Sequence, residues 1–115
     1  MSWENFVRLR IYVGESDRVD GDPVFERIVR EARAHAMAGA TVIKGMMGYG
    51  VHSEIHTAKI LRLSENLPVV VEVIDRPEKV EAFCAVLETL MGQSPMGKGM
   101  ITREPIEARV FTSGS

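Results

Sequence analysis

From residue 5 to residue 13 the chain alternates: Val7, Leu9, Ile11 and Val13 fall to one side, Phe6, Arg8, Arg10 and Tyr12 to the other. A period of two predicts a half-buried β-strand. After the polar loop GESDRVDGD the period changes. Phe25, Ile28, Val29, Ala32 and Ala36 recur at helical spacing, with Asp22 placed as N-cap, Pro23 as first helical residue and Gly39 as the stop. Residues 40–47 read as a second strand, and residues 67–74 (LPVVVEVI) as a third, rich in β-branched side chains. Pro77 opens a second helix that carries Val80, Phe83, Cys84, Leu87, Leu90 and Met91 on one face. The run GQSPMGKG ends it. Residues 99–102 and 106–111 read as two short strands parted by Pro105.

The order βαββαβ, with one further C-terminal strand, predicts an α+β fold. Short connections and right-handed crossovers give the ferredoxin-like split βαβ plait, an antiparallel sheet with two helices on one face. The other sheet face then needs solvent or a neighbour. Its expected side chains are Phe6, Tyr12, Val70 and Ile74, interspersed with Arg8, Arg10, Lys44 and Glu72. Four large apolar groups favour burial against another copy of the chain, and buried charge must be paired. Glu72 is expected to pair with Arg8 or Arg10 across neighbouring strands.

Size and composition narrow the function. Residues 1–115 suit one domain, 45 % hydrophobic and 26 % charged as in an ordinary globular protein. A net charge of −2 gives no electrostatic case for a nucleic-acid partner. No apolar run approaches the roughly 20 residues that span a bilayer. The N-terminus has no signal-peptide core, and a single cysteine, Cys84, excludes an internal disulfide, so the expected location is cytoplasmic. Cys84 reads as a small core hydrophobe. The serines lack a G-x-S-x-G setting, and Glu78 and Glu81 read as a solvated helix face. The pattern is not that of an enzyme.

Two glycine-rich stretches carry the candidate chemistry. In KGMMGYG, Lys44 stands beside Gly45, Gly48 and Gly50; in MGKGM, Lys98 stands between Gly97 and Gly99. Successive glycine amides make anion-binding concavities and lysine adds charge for phosphate. Each alone is turn chemistry; together they punctuate equivalent positions of the two halves. Met46, Met47, Met91, Met96 and Met100 gather near them and read as packing groups. Between the stretches lies a long polar loop, residues 51–66, with His52, Glu54 and His56. A divalent-metal site is an alternative reading of those three, although a third ligand at a convincing spacing is missing. The first loop carries Glu15, Asp17 and Arg18, which belong either to the site or to the start of the first helix.

The segments LRIYVGESDRVDGDPVFERIVREAR, AGATVIKGMMGYG and IHTAKILRLSENLPVVVEVID are similar to the PII-like proteins of domain-of-unknown-function family 190. The resemblance spans about nine-tenths of the chain. More distantly, that family resembles the PII signal-transduction and divalent-cation-tolerance proteins, both trimers of ferredoxin-like subunits. It implies a homotrimeric, non-catalytic regulator. Such a protein would bind a small anionic metabolite, an adenine nucleotide, between subunits and would signal to a regulated protein through the flexible 51–66 loop. By the same resemblance Lys44 and Lys98 would face phosphate, Gly45, Gly48, Gly50, Gly97 and Gly99 would donate backbone N–H groups, and Tyr49 would stack on a base. Arg103 is a further candidate cation. The turn contains one residue more than the PII pattern, and the second loop does not keep the order G-D-G-K. A trimer whose loops contact proteins with no small ligand is the third reading.

Overall fold

The computed structural model describes residues 2–49, 66–93 and 99–112, together with the backbone of residues 56 and 57. The elements are β1 (Glu4–Gly14), β2 (Arg18–Val19), β3 (Asp22–Pro23), α1 (Val24–Ala34), β4 (Gly39–Lys44), β5 (Met47–Gly48), β6 (His56–Thr57), β7 (Pro68–Asp75), α2 (Pro77–Gln93) and β8 (Met100–Ala108). The main sheet has four strands in the order β4-β7-β1-β8, every pair antiparallel. This is the ferredoxin-like arrangement that the element order predicts.

The period of two in β1 and β7 builds the core. Leu9, Ile11 and Val13 stand directly opposite Val73, Val71 and Val69. All six are buried against Val24, Ile28 and Ala32 of α1 and Val80, Phe83, Leu87 and Leu90 of α2. Each of these side chains larger than alanine contributes about 1.5–3 kcal/mol by leaving water. Cys84 and Met91 pack at the margin of this cluster. Burial pushes the Cys84 thiol up, which keeps it protonated and inert. Among the described residues no helix is long and apolar enough to cross a membrane.

Several boundaries differ from the sequence expectation. Asp22 and Pro23 pair with Val19 and Arg18 in a small ribbon, so Pro23 is the N-cap and makes no side-chain cap. The stop of α1 comes at His35, and Ala36 takes the left-handed conformation (φ 54°) foreseen for Gly39. Gly39 instead begins β4. The second strand breaks after Lys44, because Gly45 turns its amide onto the Pro68 carbonyl (2.7 Å) and Met47–Gly48 leaves to pair with His56–Thr57. The two short final strands are one continuous β8 that ends at Ala108, so there is no separate C-terminal strand in residues 106–111. Pro105 is tolerated within β8 because that strand lies at the sheet edge.

Of the expected outer face, one member is covered in place and another lies on the opposite side. Phe6 is buried, with the Arg76 guanidinium 5.6 Å above its ring and Arg76 itself held by Glu4 at 2.9 Å. Lys44 pairs in register with the buried Val69, so it shares the helix-covered side rather than the open one.

Candidate functional site

Lys44 ends β4 at an exposed sheet edge, and its Nζ lies 2.6 Å from Glu15 Oε2 at the far end of β1. This partner is not legible in the sequence, where the two residues are distant and Glu15 fits either the site or the start of the first helix. Gly45 has its amide spent on Pro68. A Cβ there would meet Pro68 Cγ at 2.8 Å and the Pro68 carbonyl at 3.2 Å, so close backbone approach demands glycine. Gly48 sits in the β5–β6 ribbon opposite His56. Beyond it Tyr49 is 67 % exposed, and Met46 and Met47 project into solvent as well. Gly50, His52 and Glu54 lie outside the described residues, as do Gly97, Lys98 and most of the 51–66 loop. Among the described residues no group of three or more His, Cys, Asp or Glu is arranged to hold a metal ion.

The chain on either side of Glu15 is fixed by bonds from the start of β7. Glu15 N–H donates to the Leu67 carbonyl (2.8 Å), and Ser16 N–H to Asn66 Oδ1 (2.7 Å). The buried Asp17 accepts from Gly14 N–H at 2.8 Å and from Asn66 Nδ2 at 3.3 Å, while its carbonyl accepts from Val24 N–H at the head of α1. Asp17 therefore organises the helix start, and Glu15 belongs with Lys44.

Gly99, at the described end of the second glycine-rich stretch, lies at the same end of the sheet from the other side. Lys44 pairs with Val69, Val69 with Val13, and the Tyr12–Met100 pairing brings Gly99 beside Val13. Lys44 and Gly99 thus mark the two ends of one row, three strand spacings or roughly 14 Å apart. Within one chain the structure does not bring them together. Gly99 packs closely, since a Cβ would meet Met91 Cε at 2.5 Å and the Tyr12 carbonyl at 3.1 Å. Arg103 is farther along β8, opposite Leu9, and its Nη1 donates to Glu81 Oε2 on α2 at 2.9 Å. It is engaged away from both glycine stretches.

The open sheet face has a sorted pattern. Ile43, Val70, Tyr12 and Met100 form one apolar row across all four strands, with Ile43 and Met100 about half exposed. The next rows hold the ions. Arg10 stands opposite Glu72 and pairs with it at 3.2 Å, as expected. Arg8 stands opposite Glu104 and donates to it through Nε (2.9 Å) and Nη2 (2.6 Å), and Arg10 reaches the same carboxylate at 3.5 Å. The hydrogen bond from Arg8 holds the Glu104 carboxyl below the usual carboxylate range.

Known proteins share this architecture. A UPF0166 protein of Aquifex aeolicus (strain VF5) is 37 % identical over 99 residues, which cover 86 % of this chain and 89 % of that one. Among solved structures, CPII of Thiomonas intermedia K12, a nitrogen regulatory PII-like protein bound to ADP, AMP and bicarbonate, superposes with a TM-score of 0.68. It is 11 % identical, over 93 % of this chain and 91 % of that chain. The ATP complex of GlnK from B. subtilis gives a TM-score of 0.57 at 12 % identity, over 89 % and 82 % of the two chains. At such identities the likeness is one of fold. Residues 6–108 match the family DUF190 ("Uncharacterized ACR"), and with the Aquifex relative this establishes that the chain belongs to that family.

Proposed function

We propose that this protein is a cytoplasmic, non-catalytic PII-like regulator that works as a homotrimer. It binds an adenine nucleotide or a similar small anionic metabolite between subunits and passes the signal to a regulated protein through the 51–66 loop. One observation carries the reading: Lys44 and Gly99 end the same row at opposite edges of the sheet. A site that uses both glycine-rich stretches needs the β4 edge of one copy beside the β8 edge of the next. The apolar row Ile43, Val70, Tyr12 and Met100 offers such copies a contact surface. The nucleotides bound to CPII and GlnK support the choice of ligand.

In this arrangement Lys44 and Lys98 face phosphate, Gly48, Gly50, Gly97 and Gly99 line the approach, and Tyr49 offers a ring for stacking. The Gly45 amide is already committed to Pro68. A ligand shifts a regulator only by binding one state better than another, and an ordered loop is one such state.

The test is thermal denaturation with ADP, AMP and ATP at millimolar concentration, alongside light scattering. The reading expects three chain masses and a melting temperature that rises with nucleotide in the wild type but not in Lys98→Ala. A trimer that no nucleotide stabilises leaves the loop-mediated interaction protein in its place. A monomer overturns the shared site.

A further inference from the structure

We infer that Glu15 is a built-in counter-anion that occupies the Lys44 position until a more highly charged anion displaces it. The residue therefore sets a charge threshold for what the site accepts. This rests on the reading of Lys44 as an anion-facing cation.

The geometry separates what is fixed from what can move. Glu15 Oε2 stands 2.6 Å from Lys44 Nζ, an ion-pair contact, yet the two side chains are 34 % and 55 % exposed. Their backbones are tethered on both sides to one short stretch, Glu15 to Leu67, Ser16 to Asn66, and Gly45 to Pro68. The carboxylate is thus presented to Lys44 by a rigid frame while its own side chain keeps a path into solvent. An exposed carboxylate–ammonium pair is weakly held. A monovalent anion gains little over the carboxylate already present. A pyrophosphate group, with more charge and more acceptor oxygens, gains more from the same ammonium. Exchange of one anion for the other leaves Lys44 paired throughout, so the site never holds a bare cation.

The experiment is calorimetric titration of the purified full chain with two probes, inorganic pyrophosphate and ADP. The proteins are the wild type, Glu15→Gln, Lys44→Met and the double variant, each with its melting curve recorded to show that it is folded. Removal of the competitor is expected to tighten pyrophosphate binding about two- to fivefold, the range set by an exposed ion pair. Glu15→Gln is expected to change nothing in the Lys44→Met background.

Equal or weaker pyrophosphate binding by Glu15→Gln overturns the inference. So does a gain that persists without Lys44, since that is a general charge effect. An absence of pyrophosphate heat in every variant overturns it too. The ADP arm separates this inference from the reading beneath it. Tighter pyrophosphate binding without ADP heat supports the counter-anion and removes the nucleotide, whereas ADP binding with pyrophosphate affinity unchanged by Glu15→Gln keeps the nucleotide and overturns the counter-anion.

Discussion

The carboxamide of Asn66 donates to the buried carboxylate of Asp17, joining positions 49 residues apart in sequence. Its oxygen simultaneously receives Ser16 N–H, so one side chain satisfies groups on two neighbouring residues. Gly14 is bound into the same knot, for a Cβ there would fall 2.4 Å from the Asn66 amide.

Asn66→Ala is expected to lower stability by about 1–3 kcal/mol, because it leaves part of the Asp17 carboxylate and the Ser16 amide without a partner. Gly14→Ala is expected to be costly alone and markedly cheaper when combined with Asn66→Ala. Urea unfolding of the two single variants and the double variant measures this coupling. Strict additivity would show that the contact does not matter.

The Arg8–Glu104 pair predicts an acid-side loss of stability. Glu104 titrates lower when folded than when unfolded, because Arg8 hydrogen-bonds its ionised form. Its stabilisation is therefore complete above the unfolded pKa and drains away as the pH falls through the folded one. Arg8 is shifted upward by the same contact and stays charged throughout. Glu104→Gln should melt below the wild type at neutral pH, with the difference closing on acidification. A difference that stays constant down the pH series argues against the pair.

Phe83 is 1 % exposed and is the largest fully buried side chain in the core. Phe83→Ala should cost about 3–5 kcal/mol, as large-to-small core changes do. Chemical denaturation reads it directly, and a loss below about 1 kcal/mol would mean that the two helices do not pack on the sheet as described.

Ala36 holds a left-handed backbone conformation that glycine adopts freely. Ala36→Gly is expected to stabilise the chain by about 0.5–1 kcal/mol, against the usual direction of alanine-to-glycine changes. A lower melting temperature would contradict the turn.

What the sequence made legible was whatever repeats locally. The alternation around Leu9 and Ile11 and the run Val69 to Val73 placed the two central strands within a residue or so, and the register followed from which face is buried. Residues acting against their type were harder. Gly39 looked like the helix stop, yet Ala36 bears the left-handed turn because the chain must reach β4 sooner. Pro105 looked like a strand break, yet an edge strand has one side without ladder bonds to lose. Phe6 falls on the outer face as its phase requires, but its cover, Arg76 of the same chain, lies too far along the sequence to be foreseen. For the same reason the glycine and lysine stretches could be found as motifs, while Glu15 and Asn66 could not be joined to them. The only local signal was an acidic residue just past the end of a strand.

The two margins of the sheet are not equivalent. Along β8, Pro105 has no N–H to offer a strand laid beside it, whereas β4 presents an unbroken GATVIK backbone with Val42 and Ile43 uncovered. Lateral growth into a fibre needs both margins to be receptive. Here one is blunted by a single imino acid, so a lone chain keeps β4 open to one added strand but is a poor seed for an endless ribbon.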